Sequence, residues 1–118
     1  NIKLPVSAPF HCSLMSNATK IMTKELNKLD FKPSKNKLIS NVTAKEINNT
    51  VELKDLLIKQ IESRVRWRES VINMIKDDIN QFIEIGPGKV LSGLVKRISK
   101  EVKINTINSL TDIESLKI

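Results

Sequence analysis

A chain of 118 residues, 40% hydrophobic and 28% charged, can bury one core, makes one domain at most and is not of disordered composition. Its apolar runs fall far short of a membrane span and its first residues, Asn-Ile-Lys-Leu-Pro, lack the parts of a signal peptide, so the expected location is the cytoplasm with no membrane contact. The formal charge of +7, from 20 Lys and Arg against 13 Asp and Glu, favours acidic or phosphate-bearing partners; the absence of Tyr, with three Phe and one Trp, argues against nucleic acid, whose bases need aromatic faces to stack on.

Ile2, Leu4 and Val6 alternate with polar or special residues and predict a short strand, which Pro5 and Pro9 confine to an edge or an end. His11, the single histidine, follows. From Ser13 the period changes: Leu14, Ala18, Ile21, Met22, Leu26 and Leu29 recur every three or four residues and predict an amphipathic helix over 12–29, with Lys20, Lys24 and Lys28 outward. A histidine where a strand becomes a helix suits proton transfer. It titrates near neutrality, and the positive end of the helix dipole favours the neutral ring that a general base needs. A packed or surface histidine is the plainer alternative.

Residues 30–36, with Pro33, read as a loop, and Lys37 to Thr43 as the next strand, paired in parallel to the first across a βαβ crossover. Leu53, Leu56, Leu57 and Ile61 give a helix over 51–61, and Val71, Met74 and Ile75 a second over 67–79 that Ser63 could cap. Gln81 to Ile85 is a short strand running into Gly86-Pro87-Gly88, after which Val90, Leu91, Leu94, Val95 and Ile98 form a helical stripe. Those glycines permit a tight strand-turn-helix joint but lack the spacing of a phosphate loop. Residues 102–108 alternate as a last strand, and 110–116 form a terminal helix capped by Thr111 or Asp112. Strands alternating with helices predict an α/β architecture, a mostly parallel sheet flanked by helices. In such a sheet, functional residues gather beyond the strand ends, where His11 lies and where Asn41 either lies or bonds a neighbouring loop.

An acyl-transfer mechanism on this architecture needs a nucleophile in a sharp elbow, usually Gly-x-Ser-x-Gly. The glycines, at 86, 88 and 93, are never four apart, so that element is absent from this sequence. Cys12 is no substitute, because sequence neighbours such as His11 and Cys12 project in different directions; it reads as a small packed residue. One His and one Cys also make a zinc site improbable, so no metal is expected.

Four blocks carry a more specific signal: 6–15 (Val-Ser-Ala-Pro-Phe-His-Cys-Ser-Leu-Met), 39–44 (Ile-Ser-Asn-Val-Thr-Ala), 59–67 (Lys-Gln-Ile-Glu-Ser-Arg-Val-Arg-Trp) and 82–98, which begins Phe-Ile-Glu-Ile-Gly-Pro-Gly-Lys. In this order and spacing the chain resembles, almost from end to end, the C-terminal part of the malonyl-CoA:acyl carrier protein transacylases. The resemblance implies the last third of a hydrolase-like α/β core, with residues 1–8 closing a small ferredoxin-like insertion and 9–118 in the core itself. It implies transfer of malonyl from coenzyme A to acyl carrier protein through an acyl-serine, in fatty acid biosynthesis. The serine elbow and the arginine that holds the malonyl carboxylate would both lie upstream of this segment, so the N-terminal part of the same enzyme is an implied partner. No cofactor is implied, since malonyl-CoA is a substrate.

Carried onto matching positions, the resemblance makes His11 the general base and Gln60 a supporting residue whose backbone carbonyl helps to orient the ring. Phe10 matches the malonyl-selective form, in which a bulky ring limits branching on the acyl group; a core aromatic is the even alternative. Lys96 and Arg97 match a basic pair where a carrier protein could dock, or are a solvated helix face. Ser63-Arg64-Val65 departs from the family's usual Ser-Pro-Val, and Arg66 and Trp67 read as structural. Two other functions stay open at this stage: an inactive basic α/β binding fragment, and a related acyltransferase using branched or polyketide extender units.

Overall fold

The structure is a computed structural model that describes residues 9–116; the strand predicted around Ile2 to Val6 and the small-subdomain segment 1–8 lie outside them. The chain groups into two compact units, Asn1–Ser70 and Val71–Ile118.

In the first unit a 3-10 turn, Ser13–Met15, leads into helix α1, Ser16–Asn27. The predicted helix therefore exists, but its first turn is tighter than an α-turn and His11 precedes it by two residues. Thr19 and Thr23 donate their hydroxyls to the carbonyls four residues back, at 3.2 and 2.7 Å, which occupies these β-branched side chains within the helix. Lys20, Lys24 and Lys28 face solvent as predicted. So, in good part, do Leu14, Ile21, Met22 and Leu29.

The strand expected over 37–43 is not formed. The segment instead folds back on itself, with one antiparallel bridge between Ile39 and Glu46, hydrogen bonds from Ser40 N to Lys45 O and from Ile47 N to Leu38 O, and a Lys37–Glu46 ion pair at 3.2 Å. Ser40 is the cause. Its buried hydroxyl accepts from the N–H groups of Val42 and Thr43, and its carbonyl accepts from Ala44, a residue with φ +57°. A side chain that bonds its own downstream backbone competes with a sheet ladder and here wins.

Helix α2 runs Thr50–Lys59. Asn49 caps it by accepting from Glu52 N at 2.9 Å, and the Glu52 carboxylate accepts from Asn48 N at 2.9 Å, so that two N–H groups at the helix start are satisfied. Leu56 is buried on its inner face, and α1 packs on α2. Helix α3, Trp67–Lys76, starts four residues after Ser63, which therefore does not cap it. Val71 is fully buried. The helix closes with Asp78 at φ +64° and Ile79 N bonded to Met74 O, the left-handed exit common at helix ends.

The second unit holds the parallel sheet. Strands β1, Gln81–Ile85, and β2, Lys103–Ile107, pair in register from Gln81 opposite Lys103 to Ile85 opposite Ile107, and helix α4, Val90–Ile98, makes the crossover. Val95 is buried, and α4 packs on both strands. Helix α5, Leu110–Glu114, is capped by Ser109 rather than by Thr111 or Asp112: Ser109 Oγ accepts from Asp112 N, while the Asp112 carboxylate accepts from Ser109 N. The spacing Ser109-Leu-Thr-Asp112 is that of a capping box.

Glu84, at the end of β1, locks the joint to α4. Its two carboxylate oxygens accept from Leu91 N at 3.1 Å and Ser92 N at 2.7 Å, where a helix start leaves N–H groups unpaired and carries positive charge. Ser92, packed beside the carboxylate and donating its N–H to it, and then Leu91 N hold the Glu84 carboxyl below its ordinary value of 4.5. A lowered folded value means that the anchor contributes stability above pH 4.5 and loses it as the pH falls through the folded value. A carboxyl-carbon NMR titration is therefore expected to place the Glu84 midpoint below 4.5; a midpoint at or above 4.5 would show that these bonds do not persist.

Buried apolar side chains are few: Ala44, Leu56, Val71 and Val95 among the described residues. A two-stranded parallel sheet is marginal by itself, and both faces of such sheets are normally covered. Ile85, at 78% exposure, and Leu14, at 75%, show how much apolar surface is left open. The 118-residue chain expressed alone is expected to bind a hydrophobic dye and to unfold over a broad range; a sharp, dye-free two-state melt would contradict this.

Candidate active site

His11 takes its position from three local features of the first unit. The segment is extended at Cys12, with φ −149° and ψ 172°. It is left-handed at His11, φ +58°. It then enters the 3-10 turn, where Met15 N bonds Cys12 O at 3.0 Å. A left-handed non-glycine residue stores strain, which commonly accompanies a functional position. The side chain is exposed, and its Nδ1 stands 2.8 Å from the backbone carbonyl oxygen of Gln60.

That contact fixes the chemistry of the ring. A carbonyl oxygen only accepts, so Nδ1 must carry the proton and donate it. In the neutral ring the Nε2 lone pair is then the one available to take a proton. Gln60 is the C-cap of α2, so its carbonyl is one of those a helix end leaves without an intrahelical donor, at the negative end of the helix dipole. The imidazole thus satisfies a helix-end acceptor while being oriented by it.

Asn41 stands behind Gln60. Its side-chain N–H donates to Gln60 Oε1 at 3.5 Å, the long limit of a hydrogen bond, and its carbonyl accepts from Arg66 N at 2.8 Å. Asn41 therefore bonds neighbouring segments, the second of its two readings, and does not end a strand. The structure brings His11, Gln60 and Asn41 together from three separate stretches of sequence.

The remaining candidates are placed separately. Phe10 is 61% exposed, so among the described residues it does not serve as a core anchor. Cys12 donates its thiol to Pro9 O at 3.1 Å. Arg64 pairs loosely with Glu69 at 3.6 Å; Arg66 is exposed and Trp67 opens α3 half-buried. In the second unit Lys96 and Arg97 occupy the last turn of α4, both exposed and without an ion-pair partner among the described residues. Gly86 and Gly88 have φ +132° and +96°, values that only glycine takes readily, and Gly88 N donates to Asn108 Oδ1 at 2.8 Å. This fits the turn-forming role of the pair. No group of three or more His, Cys, Asp or Glu among the described residues is arranged to hold a metal ion.

No family model matches the chain. Single relatives do. The chain is 41% identical over 113 residues to the malonyl CoA-acyl carrier protein transacylase of Bacillus subtilis, a match covering 96% of this chain and 36% of that protein. Among solved structures, an acyl carrier protein S-malonyltransferase from Vibrio cholerae superposes with a TM-score of 0.88 and 40% identity, covering 97% of this chain and 37% of that one. A structure of a type II PKS acyl-carrier protein in complex with its malonyl-transacylase gives 0.87 at 31% identity, over 95% of this chain and 36% of the other. Over nearly its whole length the chain is similar to the C-terminal part of the malonyl-CoA acyl carrier protein transacylases. It spans about 36% of the length of the curated relatives it matches. These relatives are enzymes by name, and the helices with a small parallel sheet seen here are those of the solved malonyltransferase chains over the same portion.

The donor role of Nδ1 can be checked directly. Nitrogen-15 NMR of the imidazole is expected to show the Nδ1–H tautomer as the dominant neutral form, and Gln60→Ala is expected to preserve it, since the acceptor is backbone. A dominant Nε2–H form would exclude the hydrogen bond to Gln60 O.

Proposed function

We propose that this chain is the histidine-bearing part of a malonyl-CoA:acyl carrier protein transacylase, with His11 as the general base. The observation that carries the proposal is the 2.8 Å contact of Nδ1 with Gln60 O, because it presents Nε2 as the proton acceptor with the ring held from behind, the task done by the third member of a catalytic triad. In this reading a serine of the upstream part of the protein loses its proton to Nε2 as it attacks the thioester carbonyl of malonyl-CoA. The bond to sulfur breaks, coenzyme A leaves with the proton from Nε2, and malonyl-serine remains. The thiol of the carrier then gives its proton to Nε2, attacks the acyl-serine and departs as malonyl thioester, restoring the serine hydroxyl.

The reading needs no metal or redox cofactor, since coenzyme A enters and leaves as part of a substrate. It assigns the reaction to fatty acid synthesis in the cytoplasm and residues 9–118 to the α/β core. The named relatives support it, and the carrier-protein complex of one of them supports acyl carrier protein as the second substrate, with Lys96 and Arg97 offering exposed positive charge to an acidic carrier. The exposed ring of Phe10 fits a place beside the acyl group, which favours malonyl over branched extender units.

In the complete enzyme, His11→Ala is expected to slow malonyl loading from malonyl-CoA by about 100-fold or more, the scale on which a general base contributes. Intact-mass measurement of the malonylated protein against time reads this out. Loading at the original rate would remove His11 from the mechanism.

A further inference from the structure

We propose that Cys12 is a positioning residue for His11: its thiol, donating to the Pro9 carbonyl, closes a one-turn clamp around His11 and holds the left-handed backbone from which the imidazole reaches Gln60. The proposal rests on the reading of His11 as the general base and adds a residue that the resemblance does not assign.

Three observations carry it. The Cys12 Sγ to Pro9 O distance is 3.1 Å, short for a hydrogen bond with sulfur as donor, and it spans the residue whose φ is +58°. Cys12 is also the N-cap of the 3-10 turn, where a polar side chain ordinarily accepts from the N–H groups ahead of it; here no side-chain cap bond forms and the sulfur points back instead. Finally, the clamp sits between two fixed ends, since Cys12 O holds Met15 N at 3.0 Å and His11 Nδ1 holds Gln60 O at 2.8 Å.

The consequence is geometric. Histidine at positive φ has an easier alternative in the extended region, and moving φ there swings Cβ and the ring away from the Gln60 carbonyl. A weak donor placed across that residue suffices to bias the choice. A base displaced by a fraction of an ångström loses rate without losing substrate affinity. Because the thiol hydrogen is committed to Pro9 O, the role needs a donor and a short side chain rather than sulfur chemistry, so serine should replace cysteine here.

The test uses the complete enzyme with Cys12→Ala, Cys12→Ser and His11→Ala in parallel, reading kcat and KM for malonyl loading and the imidazole nitrogen-15 signals. Cys12→Ala is expected to lower kcat by about 5-fold, the scale of one weak hydrogen bond acting on a base, with KM for malonyl-CoA unchanged and the Nδ1–H tautomer diluted by the other form. Cys12→Ser is expected to restore both readouts to within about two-fold of the unsubstituted enzyme. If Cys12→Ala does not fold, Cys12→Val takes its place, filling the space without a donor. Unchanged kcat and tautomer in the donorless variant would overturn the proposal. So would an equal loss in Cys12→Ser, or a raised KM at constant kcat. An active His11→Ala enzyme would instead overturn the general-base reading, and the tautomer measurement would still decide whether Cys12 positions the ring.

Discussion

The bond between the His11 ring and the Gln60 carbonyl is the constraint on which the first unit's functional meaning depends. It joins the start of the described chain to the end of α2, and it selects one tautomer by the simple fact that a carbonyl cannot donate. A carboxylate partner would have done the same while adding a charge. A helix-end carbonyl supplies partial negative charge without a group that can itself take a proton, so in the neutral ring the free lone pair is that of Nε2. The dependence falls on the backbone of residue 60, and what matters about the surrounding sequence is that α2 ends there.

Everything that fixes α2 therefore bears on the site. The Asn49 cap, with Glu52 holding Asn48 N, sets where the helix begins, Leu56 holds its inner face, and Asn41 touches the Gln60 side chain while its backbone carbonyl accepts from Arg66 N. The turn around Ser40, which replaces a strand, presents Asn41 for that purpose. In the second unit the same economy appears at another helix end. Glu84 meets the N–H groups that open α4, and Asn108 meets Gly88 N just before it, so the joint between β1 and α4 is held by one side chain from each strand end.

The distribution of apolar surface ties fold to function in a different way. Leu14, Ile21, Met22 and Leu29 follow the helical period of α1 yet remain exposed, and among the described residues the parallel sheet has two strands. Amphipathic stripes of this kind are normally buried. Their exposure stands beside the fact that the chain matches about 36% of its relatives' length.

The strands at 81–85 and 103–107 and the helices at 50–59, 67–76 and 90–98 were legible in the residue pattern to within a few residues, because each has a period that no neighbour overrides. The four blocks were equally legible and pointed to the transacylases and to His11 and Gln60. The rest came from contacts that form in the fold, local ones as well as those between distant segments. Lys37 to Thr43 has the composition of a strand, but the Ser40 hydroxyl reaches its own backbone first, a competition that β-propensity does not weigh. Ser109, not a residue inside α5, caps that helix, although its spacing to Asp112 was readable. The resemblance already implied that the Gln60 carbonyl orients the His11 ring, but the 2.8 Å geometry of that pairing, the left-handed backbone beneath it and the backward reach of Cys12 leave no trace in composition or spacing, since they arise from where the chain returns in space.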